Sequence, residues 1–176
     1  MRLGAAFWGG VSVDDPQDAV DRLDTIGVTG TVLVPGVDGY SDGEIDRVRT
    51  CFEAGGKFVA EVAAYRHGYI ASDDEQQRRG GIAFLKKVLR DARKLDAWCV
   101  GISRPFGADG DWWSQATWRR LCASLEEAAE TAAEVDVPIA LHPTNGAPID
   151  SPEQLRRLID DVGSPHLKVM LDPVNM

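Results

Sequence analysis

The sequence predicts an α/β protein built around a parallel β-sheet. Six short apolar runs alternate with five longer stretches whose apolar residues recur at helical spacing. The short runs are almost continuously apolar, which is typical of parallel strands that are buried on both faces. Each predicted helix is long enough to carry the chain back to the start of the next parallel strand. The repeated strand–helix order therefore indicates the α/β class.

Length, charge and cysteine content narrow the class of protein. A chain of 176 residues suits a single domain, residues 1–176, with a sizeable core. Its net charge of −9 opposes binding to nucleic acids and to anionic membranes. The three cysteines are far apart and form no CxxC pair, which favours buried free thiols in a reducing compartment. The apolar run at the N-terminus is too short for a signal peptide or a membrane span, so we expect a soluble, cytoplasmic protein.

Helix start and stop signals define the first half of the chain. Asp14 or Asp15 is expected to cap helix 1, and Gly27 is expected to end it. Ser41 and Glu44 form a capping-box pattern at the start of helix 2. The apolar runs around these helices predict strands 1 to 3 over residues 3–8, 28–34 and 57–65.

The second half of the chain continues the same order. Helix 3 is predicted over residues 74–95, with a weak point or a break at Gly80 and Gly81. Helix 4 is expected to start near Ser114, and helix 5 at Ser151, which is followed by a proline. Strands 4 to 6 are predicted over residues 97–103, 137–141 and 167–171.

Two architectures fit this order, an open doubly wound sheet and a (β/α)8 barrel. The residues from Trp8 to Val13, after strand 1, lack the G-x-G-x-x-G pattern of a dinucleotide-binding sheet, and no P-loop is present. The long polar loops that follow the strands favour the barrel, which places its catalytic residues in such loops. Six strands are too few to close it, so we expect an incomplete TIM-barrel-type fold, truncated at its C-terminus, with about six of eight βα units.

Polar and aromatic side chains follow the predicted strands. If the strands are parallel, their carboxyl ends meet at one edge of the sheet, and these side chains converge there. The candidates are Trp8, His67, Arg104, His142, Asn145, Asp172 and Asn175.

His142 and Asp172 form the most informative pair, because they end successive strands that would lie about 4.8 Å apart. Their imidazole nitrogen and carboxylate oxygen can reach one divalent ion at about 2.0–2.2 Å each. Two ligands alone make a weak site, since a tight divalent site takes three or four. The alternatives are a hydrogen-bonded structural histidine and a simple Asp-Pro turn. Glu61, inside strand 3, is either a buried structural acid or a site residue.

Three passages of the sequence resemble the xylose-isomerase-like superfamily of TIM barrels, which contains sugar isomerases and epimerases. They are its third strand, its fifth strand with the helix that follows, and its sixth strand. The matching residues are 59–65, 137–143 with 149–155, and 167–175. Their order and spacing extend the resemblance over essentially the whole chain.

The resemblance implies a site for a divalent ion, Mn²⁺, Mg²⁺ or Zn²⁺, which in the family is bound by acids from strands 5, 6 and 8 and a histidine from strand 7. Asp172 matches the strand-6 ligand, and His142 stands where the family usually has glutamate. That exchange favours a softer ion such as Zn²⁺ or Fe²⁺ and removes the proton transfer assigned to the glutamate. The residues expected to bind substrate are Trp8, His67, Arg104 and Asn175.

The implied function is that of a sugar phosphate isomerase or epimerase of carbohydrate metabolism, which moves a proton on a sugar or polyol hydroxy-ketone with the help of the ion. Because strands 7 and 8 are absent from the 176 residues, we expect impaired activity unless a C-terminal segment completes the barrel. The unpaired edges of strands 1 and 6 also predict a homo-oligomer or a complementing segment. The alternatives are a non-catalytic relative that binds a sugar or a partner, and a metal-dependent hydrolase or endonuclease of the same fold, which the charge of −9 disfavours.

Overall fold

The computed structural model of the chain describes residues 3–7, 10–65, 69–103, 114–143 and 149–172. These residues form strands and helices in strict alternation, which confirms the predicted α/β class. The strands are β1 Gly4–Ala5, β2 Gly30–Leu33, β3 Phe58–Ala63, β4 Val100–Ser103, β5 Ile139–His142 and β6 Leu167–Val169. The helices are α1 Pro16–Ile26, α2 Asp42–Ala54, α3 Glu75–Lys94, α4 Gln115–Val135 and α5 Pro152–Val162.

The described strands lie in one parallel sheet, in the order in which they occur in the chain. A doubly wound sheet reverses its strand order at a switch point, whereas successive strands of a barrel are direct neighbours. The observed order is therefore that of the barrel, with six of its strands. Ser103 of β4 pairs in register with His142 of β5, so the carboxyl ends of these strands lie level at one edge of the sheet.

Each helix begins with a side chain that accepts a hydrogen bond from a backbone N–H of the first turn, which satisfies a donor that the helix itself leaves unpaired. Asp15, and not Asp14, caps α1. Ser41 and Glu44 form the predicted capping box of α2. The caps are Asp15 for α1, Ser41 for α2, Asp74 for α3, Ser114 for α4 and Ser151 for α5.

The predicted strand lengths are wrong, and of the two alternatives for helix 3 the break is not found. The regular strands are shorter than their apolar runs, although single backbone hydrogen bonds, such as that from the Met170 N–H to the Leu141 carbonyl, continue beyond the strand ends. Helix α3 runs unbroken through Gly80 and Gly81. At Gly81 the preceding loop lies so close that a Cβ would be 3.0 Å from the backbone nitrogen of Tyr69. Tertiary packing thus requires glycine at position 81, although glycine has a low intrinsic propensity for helix.

The core lies between the sheet and its helices. Val62 of β3 and Leu141 of β5 are at most 1% exposed, as are Leu89 of α3 and Leu125 of α4. The three cysteines are free and partly buried. Among the described residues, no helix combines the length and the apolar composition that crossing a membrane requires.

Burial falls off sharply at the outermost strand, β6. Val169 is 40% exposed, although its register partner in β5, Leu141, is almost fully buried. Leu171, two residues further on, is 74% exposed. Val169 of β6 and Leu171 just beyond it therefore present apolar side chains to solvent at one edge of the described sheet.

A candidate active site at the carboxyl ends of the strands

The structure brings His142 and Asp172 together. His142 is the last residue of β5, and Asp172 follows β6 after a gap of two residues. Nε2 of the imidazole and Oδ2 of the carboxylate are 2.7 Å apart. Both side chains are about three-quarters buried, with 22% and 24% of their surface exposed. This pair forms the accessible part of the candidate site.

The second ring nitrogen of His142 is in a different environment. Nδ1 is buried, and no described residue forms a hydrogen bond with it. A neutral imidazole carries its proton on one nitrogen only. A proton on Nε2 has the Asp172 carboxylate as its acceptor, whereas a proton on Nδ1 would be buried with no acceptor among the described residues. The metal-free geometry therefore favours the tautomer in which Nε2 donates to Asp172.

Glu61 and Tyr65 form a second pair beside the first. Glu61 lies within β3 and is 5% exposed, and Tyr65 follows the end of that strand. The phenol oxygen of Tyr65 donates a hydrogen bond of 2.5 Å to Oε1 of Glu61. The Tyr65 ring also packs against the imidazole of His142, with centroids 5.9 Å apart and planes inclined by 30°. The two pairs therefore form one continuous cluster.

Burial shapes the electrostatics of this second pair. It raises the pKa of Glu61, because an ionised carboxylate loses water, and the Tyr65 hydroxyl and nearby His142 oppose that rise. Burial and the Glu61 carboxyl raise the pKa of the Tyr65 phenol far above its usual range. Tyr65 is thus neutral near pH 7 and serves as a hydrogen-bond donor.

A glycine on the next strand makes room for the acid. A Cβ built on Gly101 of β4 would lie 1.8 Å from Oε1 of Glu61. The Glu61 side chain therefore occupies the space that any other residue at position 101 would fill. Near this space, Cys99 directs its sulfur at the carbonyl oxygen of Ala60, 3.6 Å away.

Sequence reasoning identified part of this cluster. His142 and Asp172 follow successive apolar runs, and Glu61 interrupts one, so each has a local signal. Tyr65 and Gly101 were missed. Positions 61 and 65 share a face of an extended strand because side chains alternate, and this spacing was the available signal for Tyr65. The contact of Glu61 with Gly101 depends on strand register and has no local signal.

The remaining predicted site residues lie outside the described part of the chain. They are Trp8, His67, Arg104, Asn145 and Asn175.

The donors of the first pair fit a divalent cation in type. An imidazole nitrogen and a carboxylate oxygen are common ligands of Zn²⁺, Mn²⁺ and Fe²⁺. Within the described ranges, no group of three or more histidine, cysteine, aspartate or glutamate side chains is placed to hold an ion. Asp172 and His142 therefore provide two donors, fewer than the three or four of a tight site.

Comparison with known proteins identifies the family. The family model described as xylose isomerase-like TIM barrel matches residues 12–176. No curated protein matches the chain in sequence.

Solved structures share the fold at low identity. A D-psicose 3-epimerase crystallised in the presence of D-fructose is 19% identical, with a TM-score of 0.85 over 100% of this chain and 65% of that one. The D-psicose 3-epimerase of Clostridium cellulolyticum H10 with D-tagatose is 20% identical, with a TM-score of 0.84 over 100% and 65%. A xylose isomerase-like TIM barrel protein from Mycobacterium smegmatis in complex with magnesium is 14% identical, with a TM-score of 0.74 over 94% and 58%.

The present chain spans about two thirds of the length of the two epimerases. Its strand order agrees with their fold, and the family match covers residues 12–176. The chain therefore belongs to the xylose isomerase-like TIM barrel family.

Proposed function

We propose that the chain acts on a sugar or polyol hydroxy-ketone as an isomerase- or epimerase-like protein, by proton transfer assisted by a divalent metal. The observation that carries the proposal is the contact of 2.7 Å between His142 and Asp172, where two neighbouring parallel strands end. Barrels of this class place their chemistry at that edge. The relatives crystallised with D-fructose and D-tagatose support a ketose as the class of ligand, and the magnesium complex supports a divalent ion.

Asp172 and His142 are the residues proposed to hold the metal, through Oδ2 and Nε2. When bound, the ion stabilises negative charge on substrate oxygen as a proton leaves the neighbouring carbon. If Nε2 held the ion, the ring proton would lie on Nδ1, for which the described residues provide no acceptor. Trp8, His67, Arg104 and Asn175 are proposed to bind the sugar.

We also propose that the 176 residues alone have impaired activity. The described part of the chain offers two metal donors, and a third or fourth is needed for tight binding. A weakly held ion stabilises the transition state in only a small fraction of molecules. Ketose binding is therefore expected to be easier to observe than turnover.

A non-catalytic sugar-binding relative is the second candidate. It is favoured by His142, which stands where the family usually has glutamate, since a histidine there removes the proton transfer assigned to that glutamate. In that case the pair donates and accepts hydrogen bonds to sugar hydroxyls and moves no proton on carbon.

Ketose binding and proton exchange separate these candidates. Saturation-transfer NMR with D-fructose and D-tagatose, with and without millimolar Mn²⁺, measures binding. Incorporation of deuterium from D₂O beside the ketose carbonyl measures proton transfer without requiring net turnover. We expect binding that Mn²⁺ strengthens, together with slow exchange.

Asp172→Asn and His142→Gln are the test variants, and Asp160→Asn, on the exposed face of α5, is the matched control. Both test variants should abolish the Mn²⁺ effect, and the control should retain it. Ketose binding that Mn²⁺ does not change, with no incorporation of deuterium, would identify the non-catalytic candidate. Absence of ketose binding under every condition would refute both, and rapid epimerisation would refute the proposed impairment.

A further inference from the structure

We propose that Tyr65 is a positioning residue for the His142 ring, that Glu61 tethers Tyr65, and that Gly101 creates the space in which this tether works. The proposal rests on the proposed function only where metal affinity is the readout. It concerns Glu61 of β3, Tyr65 just beyond that strand and Gly101 of β4, which together act on a side chain of β5. The cluster thus extends from the metal-binding pair into the interior of the sheet.

The first step concerns how His142 is held. A metal-binding histidine is usually oriented by a hydrogen bond from its second nitrogen to a nearby acceptor. In this chain the second nitrogen, Nδ1, is buried, and no described residue serves as its acceptor. Asp172 holds one end of the ring, and the Tyr65 ring lies against its face at 5.9 Å. Among the described residues, packing by Tyr65 is therefore the contact besides Asp172 that orients the ring.

The second step concerns how Tyr65 is held. Tyr65 lies beyond the last ladder residue of β3, Ala63, so the sheet itself does not fix its side chain. The hydrogen bond of 2.5 Å to Glu61 fixes the far end of the phenol. Because Glu61 is 5% exposed, water competes poorly for that bond. The acid therefore anchors the ring that packs on His142.

The third step concerns the place of the acid. Gly101 pairs in register with Ala63 of β3 and with Ala140 of β5, so it lies between the two strands that carry the cluster. A Cβ at this position would be 1.8 Å from the Glu61 carboxylate oxygen. The backbone atoms of a central strand cannot yield by that much, so Glu61 must move. A methyl group at position 101 should therefore disturb His142, although it is added next to Glu61 and not next to the histidine.

NMR of the metal-free protein tests this chain of contacts directly. The ring signals of His142 are assigned by their loss in His142→Gln, which separates them from those of His67 and His166. Tyr65→Leu removes the aromatic ring and should move the His142 ring-proton signals, because the ring current is lost. Gly101→Ala should move the same signals and broaden them. Tyr65→Phe keeps the ring but not the tether and should give smaller changes with increased ring mobility.

Gly80→Ala is the matched control, because a Cβ at this helix position meets no atom within 4 Å. Its His142 signals should coincide with those of the unmodified protein. Unchanged His142 signals in Tyr65→Leu would overturn the proposal. If circular dichroism shows that Gly101→Ala does not fold, Tyr65→Leu and Tyr65→Phe alone test the proposal.

Metal titration provides the second readout. Tyr65→Leu should weaken Mn²⁺ or Zn²⁺ affinity about tenfold, the usual effect of removing an orienting neighbour of a ligand. If His142→Gln binds metal as well as the unmodified protein does, the proposed metal site fails, while the NMR result still stands for the positioning of the ring. If His142→Gln loses metal and Tyr65→Leu does not, the proposed function survives and the positioning role is refuted.

Discussion

The carboxylate of Asp91 in α3 accepts a hydrogen bond from the backbone N–H of Tyr40, with Oδ2 and the nitrogen 2.9 Å apart. Lys87, one turn earlier in α3, lies 2.7 Å from the same carboxylate and 2.8 Å from the carbonyl oxygen of Tyr40. Both Asp91 and Tyr40 are buried. The loop between β2 and α2 is therefore fixed to α3 through its main chain.

Asp91→Ala should destabilise the protein by about 2–3 kcal/mol, because it leaves a buried N–H without an acceptor. Because Lys87 is partly exposed, the loss of stability should be smaller than the loss caused by breaking a fully buried ion pair. Urea denaturation measures the difference. Asp18→Ala, which breaks an exposed pair with Arg22, should change stability by no more than about 0.5 kcal/mol. Equal effects of the two substitutions would contradict this account of the loop.

Neighbouring glycines in α3 should respond oppositely to alanine. Gly80→Ala should stabilise the protein by about 0.5–1 kcal/mol, because alanine favours the helix and nothing obstructs its methyl group. Gly81→Ala should destabilise it by about 1–3 kcal/mol, because the methyl group meets the backbone of Tyr69 and Ile70. Thermal melts of the two variants provide the comparison. Stabilisation by both would mean that the loop does not pack against α3.

The Cys99 thiol should be almost inert to alkylation in the native protein. Burial, aided by the nearby Glu61 carboxyl, raises its pKa to about 12. At pH 8 the thiolate is then roughly a thousandfold scarcer than at an ordinary cysteine. Iodoacetamide labelling followed by mass spectrometry should show Cys99 modified only after denaturation, or slowly with a rate that rises with pH. Rapid labelling of native Cys99 at pH 8 would contradict the burial of this site.

Glu61→Gln should change how stability depends on pH. Because burial raises the pKa of Glu61 in the folded state, its protonated form stabilises the fold below the unfolded pKa of about 4.3. This contribution is lost as pH rises through the raised folded pKa. The variant, which stays neutral, should therefore gain stability relative to the unmodified protein as pH increases. Urea denaturation at several pH values measures the difference, and a constant or reversed difference would show that the folded state favours the ionised acid.

Self-association is expected through β6. Val169 of β6 and Leu171 just beyond it are exposed apolar residues, and among the described strands β6 is paired on one side only, an arrangement that favours pairing with another chain. Light scattering after size exclusion should show a mass that rises with concentration, and Leu171→Glu should reduce it. Val37→Glu is the control, since it alters an exposed apolar residue of the β2–α2 loop. A monomer at every concentration would refute this expectation.

Sequence alone predicted the features that depend on neighbouring residues. The capping box of Ser41 and Glu44 is local, and His142 meets Asp172 because His142 ends β5 and Asp172 follows the next strand, β6. The errors arise where distant segments meet. From local propensity, Gly81 is expected to weaken the helix. Its role is clear only from the loop at Tyr69 and Ile70, which packs against it. Likewise, Glu61 fits where it does because β4 places Gly101 beside it. That placement is set by the register of the two strands.

The strand order has a consequence for how the chain folds. Each described strand pairs only with the strands of the preceding and following units, so these six strands can pair in the order in which they are synthesised. During synthesis, every completed unit can therefore dock onto the sheet already formed while the rest of the chain is still being made. Until the next strand arrives, the growing sheet always exposes one fresh edge, and a ribosome-bound intermediate should be protected from proteolysis in steps of one strand–helix unit.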